Sequence, residues 1–486
     1  MTTSADLRGP GGVVADEPRA ALVGREVLAL GGTAADAAVA TYFALSVTLP
    51  SSAALGGGGI CVSYEPARKR MEVIDFLPRP TAGGGMAVPA NVRGMALLHS
   101  RFGRLRWEQL LSGSESLARL GIDVSRALAS DINQADPADL ADPSFQRVFT
   151  GPDGVLLGEG GRLKQVELAT VLSRIRTAGA GDFYAGPLGR QIVAGAEEVG
   201  GDLTLKDLRD FVAVTRPPLR IALGNEQVLL PAGAGGSLAA DLLTMVNTTR
   251  YRAARQPERV HIMAEAVRRA VVAEASRLSG DAATVASADR AKRLMADYRP
   301  NHASPPEAVE LPAAAAPPAS SFVALDGYRD AVACSVTMNA SFGTRRIIPG
   351  TGMLLAVPPA GGPISMVPLL AVNTNTDKMV LALGSSDGPY AAAAAIETLL
   401  GTMVEDRSLE DILARPRLAD DGGTVLLEPE ADDTAEALEQ LGHTLREVKQ
   451  IGRVNAIYCP VERPANAPLC QPRADPRGFG LATSGR

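Results

Sequence analysis

ASSFVALDGYRDAVACSVTMNASFGT, residues 319–344, is the stretch on which the reading of this chain turns. FVALD and AVACSV are apolar, β-branched runs on either side of a turn that contains Gly327, the pattern of a strand, a turn and a second strand. A second pair, LRIAL and QVLLP, flanks Gly224-Asn225 in the same way.

Helical signals surround these strands. Gly31-Gly32-Thr33 precedes an apolar run, and Asp36 stands three residues after Thr33, a capping-box-like start for a helix expected to reach about Leu45. Between residues 259 and 279, Val260, Met263, Ala264, Val267 and Val271 form the stripe of an amphipathic helix. His261 lies one position off that stripe and is read as structural. Further helical runs occupy 389–404 and 432–441, the second ending at Gly442 as a carboxy-terminal cap. Strands set between blocks of helix predict a layered α+β architecture.

Composition narrows the function classes. With 486 residues, 46% hydrophobic and 21% charged, the chain is ordinary globular material, long enough for two or three domains or one large fold. The net charge of −6 offers no cationic footprint for nucleic acid. The adjacent Arg345 and Arg346 are read as a solvated surface pair, with a hold on a substrate carboxylate as the other reading. The opening MTTSADLRGPGG lacks a basic segment followed by an apolar one, so a cytoplasmic location is expected. The most apolar helical run, Ala34–Leu45, carries Asp36 and is too short to span a bilayer, so no membrane anchor is expected.

Cys61 and Cys334 sit in apolar strand-like settings and are read as small core hydrophobes. Cys459 and Cys470 bracket PVERPANAPL and would be cross-strand partners in an oxidising compartment; without an export signal, reduced thiols are expected. None of the four has metal-ligand spacing, and His99, His261, His302 and His443 are scattered along the chain, which argues against zinc. No metal or cofactor is expected.

The 319–344 unit resembles the start of the small subunit of γ-glutamyltranspeptidases. Phe322 to Asp326 fills that family's first strand, and Asn339, Phe342, Gly343 and Thr344 fill its Asn-x-x-Phe-Gly-Thr stretch. The likeness continues in order through GGTAADAAVA (31–40), Pro50-Ser51-Ser52 with Gly56–Gly59, Asp75-Phe76, Val88-Pro89 and RFGRLRWEQLL (101–111). It goes on through DFYAGPLGRQIV (182–193), LPAGAGG (230–236), HIMAEAVRRA (261–270) and ADPRGFG (474–480). The resemblance implies the four-layer αββα sandwich of the Ntn hydrolases. It also implies an organisation: 1–295 similar to the large subunit, 296–318 a Pro/Ala-rich linker at the would-be cleavage region, and 319–486 similar to the small catalytic subunit.

The family reaction is transfer or hydrolysis of γ-glutamyl groups such as that of glutathione, and its nucleophile is a threonine where this chain has Ala319. A methyl group supports neither the N-to-O acyl shift that cuts the chain nor a later acyl-enzyme. Ser320 is the alternative nucleophile, with cleavage after Ala319, but the strand register would aim it to the opposite face.

The family's carboxylate-binding arginine falls on Leu77; Arg79 is two residues further, between Pro78 and Pro80. The acidic ammonium clamp is replaced by Ala356, Val357, Pro358, Pro359, Ala360 and Gly361. Ser365 keeps one of two family serines, and the oxyanion glycine pair becomes Asp387-Gly388, where a carboxylate opposes the developing charge. Asn339 is the matching polar residue placed in the pocket. The expectation is an uncleaved, catalytically degenerate member with a binding or assembly role, as a homo-oligomer or beside an active paralogue. Its ligand would be a small γ-glutamyl or acyl-amide compound. The alternative is an active amidohydrolase or acyltransferase using Ser320 on an altered substrate.

Overall fold

The computed structural model describes residues 11–278, 285–305, 318–359, 366–386, 388, 390–460 and 470–484. The hairpin read from 319–344 is present as two strands, Ala319–Leu325 and Ala331–Thr337. They pair antiparallel, with Ala319 opposite Thr337 and Leu325 opposite Ala331.

Thirteen strands make up two large antiparallel sheets. In chain order they are β1 (Gly12–Ala15), β2 (Gly58–Glu65), β3 (Arg70–Phe76), β4 (Val214–Arg216), β5 (Leu219–Leu223), β6 (Glu226–Leu230), β7 (Ala319–Leu325), β8 (Ala331–Thr337), β9 (Val367–Asn373), β10 (Lys378–Ser386), β11 (Arg453–Tyr458), β12 (Gln471–Arg473) and β13 (Leu481–Ser484). The first sheet runs β13-β1-β7-β8-β2-β3-β4 and the second β12-β11-β10-β9-β6-β5. Strands from before and after the 296–318 segment therefore lie side by side in both sheets.

Three apolar layers hold the sheets and helices together. Phe322 and Ala324 face the helices outside the first sheet, whereas Ala319, Val323 and Leu325 face the second sheet, the alternation a strand imposes. The third layer lies between the second sheet and helices Gly236–Val246 and Ala391–Met403, and it continues to helix Glu258–Leu278, which packs on the first of these. The result is the four-layer αββα sandwich of the Ntn hydrolases.

Helix Ala34–Thr48 is buried along its whole length because it lies on β7 and β8 and is itself covered by helices Pro18–Ala29 and Trp107–Leu120. Its start is the expected capping box: the Thr33 hydroxyl accepts from Asp36 N–H at 3.2 Å and Asp36 accepts from Thr33 N–H at 2.9 Å. The glycine run before β2 is needed for close approach, since a Cβ on Gly57 would lie 2.3 Å from the Thr337 carbonyl oxygen.

Two expectations change. Antiparallel register places Cys334 directly opposite Cys61, and their sulfurs are bonded across the ladder with Cα atoms 4.1 Å apart. Tyr458 opposite Gln471 likewise brings Cys459 to Cys470, also bonded. The four cysteines expected as free thiols thus form two disulfides.

The Pro/Ala-rich segment is packed at its start: Ala303 N–H donates to Leu441 at 2.7 Å and Ser304 N–H to Glu265 at 3.0 Å. Residues 306–317 of it lie outside the described residues. No helix among the described residues is long and apolar enough to cross a membrane.

Candidate active site

The head of β7 is where the family's chemistry would stand. Ala319 is fully buried with its methyl toward the apolar layer between the sheets. Ser320, one residue on, belongs to the other face; it too is fully buried, and its hydroxyl donates to Asp16 Oδ2 at 3.1 Å. The same carboxylate accepts from Ser321 N–H at 2.8 Å and, through Oδ1, from Asn455 Nδ2 at 2.8 Å. Asn455 also donates to the Ser321 hydroxyl at 2.9 Å, so a buried network ties the end of β1 to β7 and across to β11 of the second sheet. Ser320 is occupied in holding strands together.

The peptide bond before Ala319 is held as well. Thr337, the ladder partner of Ala319, donates its hydroxyl to the Pro318 carbonyl at 2.8 Å and accepts from Asn339 N–H at 2.9 Å. Asn339, at φ +60°, donates its side-chain amide to the Val357 carbonyl at 2.9 Å. It thus braces the chain after β8 against the 353–357 segment. Arg453 Nη2 lies 3.4 Å from the Ala319 carbonyl oxygen.

Leu77 is half-buried against the layer between the sheets. Arg79 is exposed, and its guanidinium lies over the Phe211 ring at 5.5 Å. Ala356 is buried, its carbonyl accepting from Ala87 N–H at 2.9 Å. Ser365 and Asp387 lie outside the described residues; Gly388 is described and has φ +96°. Arg345 is half-buried and paired with Asp139 at 2.8 Å, whereas Arg346 is exposed and donates to the Val199 carbonyl at 2.7 Å.

Sequence reasoning missed Thr337, Asp16 and Asn455. The hairpin register itself carried the signal for Thr337, because pairing the two strands from the turn sets it opposite Ala319. Asp16 and Asn455 carry no local signal.

Beside a smaller cavity of about 160 Å³, described residues line two larger ones. One of about 420 Å³ opens beside the strand head, with Pro318, Ser52, Ser341 and Arg453 among its walls. The other, about 380 Å³, lies in the helix layer outside the second sheet, with Glu397, Arg415 and Arg417 in its lining. Burial pushes the Glu397 carboxyl up to about 7.

The histidines, scattered in sequence, meet in space. His261 Nδ1 and His443 Nε2 are 2.8 Å apart, and His261 Nε2 lies 2.7 Å from the Arg299 carbonyl. A carbonyl only accepts, so His261 carries its proton on Nε2 and accepts a hydrogen bond from His443, leaving His443 Nδ1 without a partner among the described residues. Burial, with His261 adding to it, lowers the His443 pKa to about 4.

Glu265 completes the one group of potential metal ligands among the described residues. Its oxygens already accept from Ser304 and Arg269, and Arg268 stands 3.9 Å away. Two guanidinium groups at that carboxylate oppose a further cation.

A family model described as gamma-glutamyltranspeptidase matches residues 20–357 and 362–484. Glutathione hydrolase 7 of Bos taurus is 29% identical, with 92% of this chain and 75% of that protein aligned. The glutathione hydrolase proenzyme of Bacillus subtilis (strain 168) is 25% identical, over 85% of this chain and 81% of its own. Among solved structures, cephalosporin acylase from Bacillus halodurans gives a TM-score of 0.84 at 21% identity, covering 98% of this chain and 96% of that one, a likeness of fold. The γ-glutamyltranspeptidase of Helicobacter pylori gives a TM-score of 0.55 at 27% identity, covering 60% of this chain and 92% of that one.

Proposed function

The chain belongs to the γ-glutamyltranspeptidase family, and we propose that within it this chain is an uncleaved, catalytically degenerate member whose sandwich serves binding or assembly. One observation carries the reading: the group at the head of β7 is a buried methyl, and the next hydroxyl along the strand, Ser320, points to the other face and is bonded to Asp16. Nucleophilic catalysis in this fold needs one oxygen that first attacks the preceding peptide carbonyl. The freed α-amino group then serves as the base for that same oxygen. Without it the Pro318–Ala319 bond stays whole and no acyl-enzyme forms at this residue. Leu77 supports the same reading, since it offers no donor where a substrate carboxylate would be gripped.

The retained core is compatible with lost chemistry, because folding depends on packing throughout and the reaction on a few groups. A second copy or an active paralogue as partner belongs to this proposal.

Intact-mass measurement of the purified chain, together with an assay on a γ-glutamyl anilide, tests it. The expected result is one full-length species without turnover. Two pieces meeting at residue 319 or 320, abolished by Ser320→Ala, would establish the Ser320 enzyme instead. A thiol count on the same sample decides between the cytoplasmic location expected from the amino terminus and an oxidising compartment, in which both cysteine pairs are bonded.

A further inference from the structure

The structure assigns a small-molecule site to the outer helix layer: the cavity of about 380 Å³ outside the second sheet takes an aliphatic amine cation. It shares no described wall residue with the cavity beside the strand head, so the inference holds whether or not the chain is cut.

The anchor is Glu397, a wall residue on helix Ala391–Met403 that is only 7% exposed. One of its carboxyl oxygens accepts from Leu418 N–H at 3.4 Å, a long bond. The other has no hydrogen-bond partner among the described residues and is not sealed off, so it is open to the cavity. Unlike Glu265, which Arg269 and Ser304 occupy, Glu397 makes no ion pair among the described residues.

Arg415 and Arg417 share the wall, but both are engaged elsewhere. Arg417 donates to Asp475 at 2.7 Å and to the Ile451 and Gly452 carbonyls, and Arg415 donates to Glu405 at 3.2 Å. Burial holds the Glu397 carboxyl up at about 7 in spite of those two charges. A bound ammonium would supply the direct counter-charge that this carboxyl lacks.

The remaining wall fits the same ligand. Glu430 and Asp433 are exposed and make no ion pair among the described residues, so three acids face the hollow against two engaged guanidinium groups. Buried Val260, Leu418 and Leu427 give it an apolar side. Methylene groups suit that side and an ammonium suits the carboxylates, which selects an alkylamine over a bare metal ion or an anion.

Isothermal titration of the full-length chain with putrescine, and with butanediol as its neutral counterpart, tests the site. Putrescine is expected to bind and butanediol to give no heat. Glu397→Gln keeps the shape and an acceptor for Leu418 N–H, and is expected to weaken putrescine about tenfold, the loss of one charge-assisted hydrogen bond. Glu430→Gln combined with Asp433→Asn alters only exposed groups, so the fold stays intact, and is expected to weaken it about threefold. Unchanged putrescine affinity in either variant, butanediol binding as tightly as putrescine, or no heat from putrescine at millimolar concentration would each overturn the site.

Discussion

The two faces of strand β7 differ by a single step along the chain, and the difference separates structure from chemistry. On one face Ser320 is locked to Asp16, in a network in which Ser321 and Asn455 also take part. On the other face Ala319 presents a methyl at the position proposed for the family's nucleophile, and the carbonyl before it is held by Thr337. The strand has the hydrogen bonds that fix its position and, on the proposed reading, lacks the oxygen that would make position useful. A hydroxyl beside the right place is no substitute for one on the right face.

The largest effect expected from this comparison comes from Ala319→Thr, with Ala319→Val as a control of the same shape without the hydroxyl. The Pro318 carbonyl is already held at 2.8 Å by the Thr337 hydroxyl, a donor placed to polarise it. The threonine chain should therefore separate into two pieces, the second beginning at residue 319, and the valine chain should stay whole; mass spectrometry reads both. Turnover of a γ-glutamyl anilide should remain absent in both, since Leu77 still lacks the guanidinium. A threonine chain that stays whole would show that more than the nucleophile is missing from the cutting machinery.

The opposite face is tested by Asp16→Ala. That change strands the Ser320 hydroxyl, the Ser321 N–H and one Asn455 amide proton in a buried setting. A loss of about 3 kcal/mol is expected in urea denaturation, on the scale of a few unsatisfied buried donors. Asp16→Asn, which keeps an acceptor, should cost less. If Asp16→Ala unfolds at the wild-type midpoint, the network is not what fixes the strand head.

How much of this was legible follows the range of each contact. The hairpin was readable because its alternation and turn lie within one short window, and the period of two by itself puts Ser320 on the far face. The helix start at Thr33 and Asp36 was readable for the same reason, both partners being local. Asp16 was not, because its bond to Ser320 spans 304 positions and GVVADEP carries no mark of it. His261 and His443 meet across 182 positions and Cys61 and Cys334 across 273. Only the layered fold brings those pairs together. Cys61 and Cys334 look isolated in sequence because each sits alone in its own apolar strand, whereas antiparallel register sets one opposite the other.

The smallest expected effects concern the two titratable clusters far from the strand head, and they run in opposite directions with pH. At the turn end of the hairpin, Asp326 accepts from Ala34, Tyr328 and Asp330 N–H groups, and Asp330 stands against it. Burial first, then the Asp326 charge, raises the Asp330 carboxyl to about 7. A raised acid is favourable to the fold while protonated, so its contribution is full below its unfolded pKa of about 4 and is lost as pH rises through about 7. Asp330→Asn should therefore become more stable than the wild type as the solution turns neutral and alkaline.

His443, lowered to about 4 by burial, is favourable while neutral. Its contribution is full above its unfolded pKa of about 6.5 and fades as pH falls toward about 4. His443→Gln should remove part of the wild type's acid sensitivity. Denaturation midpoints followed from acid to alkaline pH on the three chains read both slopes. Equal slopes in all three would mean that neither cluster holds its proton as its surroundings dictate. Slopes moving together would mean that the hairpin turn and the outer helix layer unfold as one titrating unit.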